Sequence, residues 1–170
     1  MTRIAVSGHR NLAPEVTTLV EGALRAELAG EDPAGLLGLT CLAHGADQIF
    51  ARAVLKAGGA IEAYVPAVRY PDGLPPGARP AFEELLGRAV VVHRLKREEL
   101  TRTAHWTTSV EMLRSAQRLI AVWDGEPEAD LSCTQDVVAR ARRLGVPVTV
   151  IRPDDAATTN GACLSVRPGP

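Results

Sequence analysis

Short apolar runs alternate with amphipathic helical segments along most of this chain. The runs at residues 3–7, 36–42, 61–65, 89–93 and 119–123, and the one that begins at Pro147, have the length and composition of buried strands. The segments between them carry apolar residues at helical spacing. Repeated strand–helix units with short connections form parallel sheets covered by helices. We therefore predict an α/β fold, a single Rossmann-like domain with a mostly parallel sheet and helices on both faces.

The chain has 170 residues and 46% hydrophobic content, which is enough for one domain with a substantial core. We place that domain at residues 1–151. Residues 152–170 lack apolar periodicity and are predicted to be a flexible C-terminal tail. Two details are expected within the domain: a long irregular loop at 66–80, and a helix over 98–116 with a break around Trp106.

Charge and composition limit the classes of partner. The net charge is −1, so the whole chain does not indicate nucleic acid or an anionic membrane as a partner. No signal peptide or membrane span is visible, which predicts a cytoplasmic protein. The three cysteines and four histidines lack the spacing of a metal site, and we predict neither a metal nor a cofactor. Apolar helix faces leave a homo-oligomer open.

Ligands of parallel α/β sheets collect at the carboxyl ends of the strands. Gly8 and Arg10 follow the first strand, where Gly8 would allow close backbone approach and Arg10 would grip a phosphate or carboxylate, or simply be solvated. His44, Gly45 and Asp47 follow the second strand. His44 is a candidate proton carrier or hydrogen-bond donor, and Asp47 either caps the helix or contacts a ribose.

The segment 119–151 repeats the strand–loop–helix order, which favours an anion site at the start of its helix. Trp123 ends the strand and is expected either to stack on a base or to join the core. Thr134 is expected to cap the helix and to contact phosphate or ribose. The loop between them carries four acids that oppose a bare phosphate: Asp124, Glu126, Glu128 and Asp130. We expect this loop to turn outward into water, unless the site takes a metal ion, a sugar or an amine.

Three motifs resemble those of the DprA and LOG-type proteins, the SLOG superfamily of Rossmann-like nucleotide-ligand domains. The segment TCLAHGADQIFARAVLKAGGAIEAYVP looks like their strand-to-helix turn, and SGHR is similar to their first phosphate-side loop. WDG followed by CTQDVVARARRLGVPV resembles their G-G-x-G-T loop and helix, although Leu131, Ser132 and Cys133 replace the glycines. The resemblance covers residues 4–151 and implies a domain that binds or senses a nucleotide or a nucleotide-derived small molecule.

An enzyme is the alternative. LOG-type enzymes release the base from a nucleoside 5′-monophosphate, but the Glu that the resemblance implies falls on Val137 and the Arg near Ser109. Glu111 and Asp136 flank strand 119–123 and are therefore the candidate catalytic acids of an altered N-glycosidase. DprA-like handling of single-stranded DNA is disfavoured, because the chain lacks a concentrated basic, aromatic surface.

Overall fold

The computed structural model describes residues 1–125 and 134–153, and a six-stranded sheet forms its centre. The strands are β1 (Thr2–Gly8), β2 (Leu36–Thr40), β3 (Ala60–Val65), β4 (Val91–Arg94), β5 (Arg118–Val122) and β6 (Val148–Ile151). They run parallel in the order β4-β3-β2-β1-β5-β6. The predicted α/β class is confirmed, and all the strand pairs of this sheet are parallel.

Helices cover both faces of the sheet, as the apolar strands require. They are α1 (Pro14–Leu28), α2 (Ala46–Lys56), α3 (Arg79–Arg88), α4 (Arg102–Ser115) and α5 (Thr134–Arg143). The first three helices share one core, which includes Leu24, Phe50 and Phe82. The last two form a second core on the other face, around Met112 and Val138. No helix within the described ranges is long and apolar enough to cross a membrane.

Two local predictions were wrong. Helix α4 is continuous through Trp106. The Trp106 side chain lies on the outer surface with 37% exposure, so the helix accommodates it without a break. The helix instead starts late, after Thr101, whose hydroxyl accepts a hydrogen bond from the Ala104 N–H at 3.0 Å. The 66–80 loop contains a 3-10 turn at Tyr70–Gly73, and α3 already begins at Arg79. The predicted tail lies outside the described residues from 154 onward.

The order of the strands fixes where a ligand can approach. From β1 the chain moves outward through β2 and β3 to β4, and it then crosses back to β5 on the other side of β1. The chain therefore leaves the ends of β1 and β5 in opposite directions, which opens a crevice between these two strand ends. Such a switch in strand order is the usual ligand position in open parallel sheets. At the base of this crevice, Gly8 of β1 pairs with Val122 of β5.

Candidate functional site

A cavity of about 20 Å³ lies at the carboxyl end of β1, between α2 and α4. Polar residues from β1, from the segments after β1 and β2, and from α2 and α4 line it: Ser7, Arg10, Cys41, Asp47, His105 and Ser109. A space of this size holds roughly one water molecule. A single oxygen-sized group of a ligand therefore fits inside, and the remainder of any larger ligand must lie over the mouth of the cavity.

Arg10 and His105 meet at this cavity. The guanidinium Nη2 of Arg10 lies 3.1 Å from Nε2 of His105. Because a guanidinium only donates hydrogen bonds, Nε2 is the acceptor, which assigns a neutral imidazole with its proton on Nδ1. His105 is in the first turn of α4 and is 4% exposed. Arg10 thus places a positive charge at the point where the strand order switches, and His105 holds it there from α4.

We did not predict a role for His105 from the sequence, where it was considered only for metal-ligand spacing. The available signal was the polar face of its helix. His105, Thr108 and Ser109 are all buried, and the two hydroxyls donate back to backbone carbonyls at 2.9 and 3.0 Å. A helix that buries polar residues on the face turned to a sheet edge is typical of a site rather than of a core.

Asp47 does not cap α2. Its Oδ2 accepts hydrogen bonds from the Thr40 hydroxyl and the Cys41 N–H, each at 3.0 Å, so the carboxylate ties the end of β2 to the helix. Thr40 in turn accepts from the Leu42 N–H at 3.0 Å. Burial raises the pKa of Asp47 to about 6, although the Thr40 hydrogen bond and the charge of Arg10 favour the ionised form. Both groups that donate to Asp47 belong to the protein and not to a ligand. The ribose contact therefore stays a prediction.

Gly8 and Gly45 are needed because the chain approaches itself closely. A Cβ at Gly8 would lie 2.7 Å from the Cβ atoms of Ala46 and Val122. A Cβ at Gly45, which has a φ of +82°, would lie 2.4 Å from the carbonyl oxygens of His9 and Arg10. The Ala46 N–H at the start of α2 donates to the His9 carbonyl at 3.1 Å. The close approach at these two glycines is therefore made by other parts of the same chain.

His9 and Asp124 face each other across the crevice. We did not predict this pair from the sequence. Nε2 of His9 lies 3.3 Å from Oδ2 of Asp124 and 3.3 Å from its backbone N. The His9 N–H donates to the Val122 carbonyl at 3.1 Å. An imidazole beside a carboxylate can carry a proton. Asp124 therefore turns toward the protein and not outward, while Glu126, Glu128, Asp130 and Cys133 lie outside the described residues.

Three other predicted ligand residues surround the crevice without lining the cavity. His44 is half-buried, with Nε2 3.2 Å from Oδ1 of Asn11. Trp123 is also half-buried and packs on the α4–α5 core, and its backbone N–H donates to the Ile151 carbonyl at 2.9 Å. Thr134 opens α5 and is 1% exposed. Trp123 and Thr134 thus lie on the β5 side, opposite the loop that carries Arg10.

The candidate catalytic acids are not brought together. Glu111 is exposed on the second half of α4, which runs away from the carboxyl edge. Asp136 is exposed in the first turn of α5 and pairs with Arg102 at 3.8 Å. Arg102, the partner of Asp136, and Glu111 are about 13 Å apart along the axis of α4, so the two acids lie at different levels of this helix. Among the described residues, no group of His, Cys, Asp or Glu could hold a metal ion.

Fold and site together define a Rossmann-type α/β domain with a DprA/LOG-like fold and a polar switch-point crevice. The fold resembles DNA processing protein A (DprA) from Streptococcus pneumoniae with a TM-score of 0.64 and 18% identity, over 96% of this chain and 52% of that one. It also resembles DprA from Helicobacter pylori with a TM-score of 0.62 and 16% identity, over 97% and 67%. The structural genomics target TM1055 has a TM-score of 0.57 and 18% identity, over 87% and 72%.

The predicted resemblance to DprA and LOG-type proteins is confirmed for the fold, which is all that identities this low establish. This chain spans about half the length of the pneumococcal protein, at 52%. No protein-family model and no curated protein matches it. The Helicobacter protein has a single-stranded DNA binding mode, so the prediction that nucleic acid is an unlikely partner is not supported.

Proposed function

We propose that this chain binds a nucleotide or a nucleotide-derived small molecule in the crevice between the carboxyl ends of β1 and β5, as a SLOG-like binding or sensing domain. The observation that carries the proposal is the place of Arg10. Its guanidinium lines a small polar cavity at the point where the strand order switches. A cation in a fork geometry at that point suits a phosphate.

The ligand would lie across the crevice. A phosphate oxygen would enter the cavity beside Arg10, and the sugar and base would extend toward Trp123 and Thr134 on the β5 side. Asp47 lines the same cavity and is 5% exposed, so it would act on the ligand mainly through its effect on Arg10. Gly8, Gly45 and His44 would shape the first wall of the crevice.

The test is binding of AMP and adenosine by calorimetry and thermal shift, to wild type and two arginine variants. AMP should raise the melting temperature and adenosine should not, because it lacks the phosphate. Arg10→Gln should weaken AMP binding about tenfold or more. Arg52→Gln, which removes an exposed arginine of α2, is the matched control and should bind as wild type does. If no nucleotide in a panel including ADP, ATP and NAD binds wild type, the proposal fails.

A nucleotide N-glycosidase is a second candidate, and the His9–Asp124 pair is the observation that favours it. Asp124 is an acid at the crevice with an imidazole beside it, whereas Glu111 and Asp136 are exposed on helices α4 and α5. The enzyme hypothesis predicts that adenine accumulates when AMP is incubated with the protein. In that case Asp124→Asn should abolish release and Glu111→Gln should leave it unchanged. AMP binding without free adenine supports the binding domain alone.

Single-stranded DNA is a candidate ligand because a basic segment follows β4 at the same edge of the sheet. Arg94, Lys96 and Arg97 are exposed there. A phosphate backbone could then run from this segment to Arg10. Titration of a fluorescent oligothymidylate, with AMP as competitor, tests whether the two ligands share the crevice. A cytoplasmic location and a homo-oligomer stay predictions of the sequence.

A further inference from the structure

We infer that His105 is a positioning residue: its neutral imidazole holds the Arg10 guanidinium at the cavity and thereby selects ligands that present a small oxyanion, such as a terminal phosphate. The inference rests on the proposed function and deepens it. Neither the sequence motifs nor the comparisons assign a role to this histidine. The chain of contacts that supports it runs from the 66–78 loop through α4 to the loop after β1.

The imidazole is fixed before it meets Arg10. His105 is 4% exposed and belongs to the capped first turn of α4, where Thr101 accepts from the Ala104 N–H. The ring of Tyr70 packs against it edge-to-face, with 6.2 Å between ring centres. Tyr70 is itself buried and packs against Phe82 in the same manner at 5.7 Å. Packing on this scale restricts the ring to one orientation.

Arg10 needs such a support because its side chain is long and flexible. It lies between two groups that act on its charge. The buried Asp47 attracts it from the α2 side, and Nε2 of His105 accepts its Nη2 from the α4 side at 3.1 Å. A hydrogen bond on one side and a negative charge on the other restrict the positions of the guanidinium. An arginine that is already oriented loses less conformational freedom when it binds an anion.

The size of the cavity limits which part of a ligand meets this arginine. About 20 Å³ admits one oxygen atom and excludes an aromatic base. The other titratable groups that face His105 or its pair are Cys41, Asp47 and Tyr70, and all three are buried. Arg10 is therefore the cation that an oxyanion entering the cavity would meet, and the position of its guanidinium decides whether the anion fits.

Two variants of His105 distinguish the effect of its hydrogen-bond acceptor from the effect of its aromatic ring. His105→Phe keeps an aromatic ring beside Tyr70 and removes the acceptor, whereas His105→Gln keeps an acceptor and removes the ring. His93→Phe is the matched control, since His93 lies on β4, stacks on Tyr64 and pairs with Glu62 away from the cavity. For each protein we would measure AMP affinity by calorimetry, competition by inorganic phosphate, and the rotation rate of the Arg10 guanidinium by NMR.

We expect His105→Phe to weaken AMP and phosphate binding about tenfold and to speed the rotation of the Arg10 guanidinium. His105→Gln should stay within about threefold of wild type, and His93→Phe should match it. Equal losses in the Phe and Gln variants would show that the ring matters and the acceptor does not, which overturns the inference.

The failure of the proposed function gives a different result. If wild type binds neither AMP nor phosphate, the nucleotide proposal fails, but the NMR comparison still decides whether His105 holds Arg10. If His105→Phe does not fold, the wild-type rotation rate decides: slow rotation at Arg10 supports the hydrogen bond, and rotation as fast as that of the exposed Arg52 overturns it.

Discussion

Burial of the Asp47 carboxylate raises its pKa from 3.8 to about 6, even though Thr40, Arg10 and Cys41 favour the charged form. The folded protein therefore holds this proton more tightly than the unfolded chain does. The resulting stability is fully present below pH 3.8 and is lost as pH rises through about 6. At about 1.4 kcal/mol per pKa unit, the loss is about 3 kcal/mol.

Asp47→Asn should abolish the loss of stability with rising pH, because no charge has to be buried. The amide oxygen can still accept hydrogen bonds from Thr40 and Cys41. The free energy of unfolding of the variant, minus that of wild type, should rise by about 3 kcal/mol between pH 4 and pH 7 in urea titrations. Asp47→Ala is the control, and it should be less stable than Asp47→Asn at every pH since it leaves the Cys41 N–H unsatisfied. Parallel curves for wild type and Asp47→Asn would contradict the raised pKa.

A pair of glycine substitutions tests the close approach of the β1 loop to α2. Gly45→Ala should destabilise the protein by about 3 kcal/mol or more, because its Cβ would meet two carbonyl oxygens at 2.4 Å and its φ is +82°. Gly22→Ala lies on the exposed face of α1 with nothing within 4 Å and should stabilise by about 1 kcal/mol. Thermal unfolding of the two variants measures both signs. A tolerated Gly45→Ala would mean that the two segments separate easily.

Single residues show what the sequence alone could and could not predict. Gly8, Arg10, Gly45 and Asp47 were found because residues that follow apolar strands must lie at one edge of a parallel sheet. Their individual contacts depend on which strands are neighbours, and the pattern of apolar runs does not specify strand order. His105 comes from a helix 95 positions after Arg10, so only the tertiary fold brings the two together.

At the scale of elements, the apolar runs predicted the six strands to within a few residues, because buried parallel strands are nearly continuous in apolar residues. Helix α4 was the least predictable element. Its buried face carries His105, Thr108 and Ser109 beside Met112 and Leu113, so apolar periodicity marks it poorly. Two of these polar residues, His105 and Ser109, also line the cavity.

The start of α4 can be tested through its cap. Thr101→Ala removes the acceptor for the Ala104 N–H and should cost about 1 kcal/mol, whereas Thr101→Ser should be nearly neutral. Since His105 follows in the first turn, Thr101→Ala should also raise amide exchange at Ala104 and weaken AMP binding. Thr107→Ala, at a half-buried position on the same helix away from the cap, is the control and should leave both unchanged or slightly stabilise the helix. Unchanged exchange at Ala104 in Thr101→Ala would show that packing alone fixes this end.

At the scale of the whole molecule, strand order and charge distribution act together. The chain as a whole carries a net charge of −1, which hid a local excess of positive charge in the sequence analysis. The parallel sheet places the end of β4, with Lys96 and Arg97 just beyond it, at the same edge as Arg10. Arg142 and Arg143 lie at the opposite edge of the sheet, because α5 begins at the carboxyl edge and these residues form its last turn.

This geometry predicts which basic residues serve an extended polyanion. Lys96→Gln with Arg97→Gln should weaken binding of an oligothymidylate and reduce the slope of log affinity against log salt by about 1 to 2, while AMP affinity stays the same. Arg142→Gln with Arg143→Gln removes the same charge at the other edge and should change neither. Titrations from 50 to 200 mM salt, a range over which phosphate contacts weaken strongly, would measure both slopes. Equal effects of the two pairs would indicate attraction to net charge alone, and DNA would then have no defined path across the carboxyl edge of the sheet.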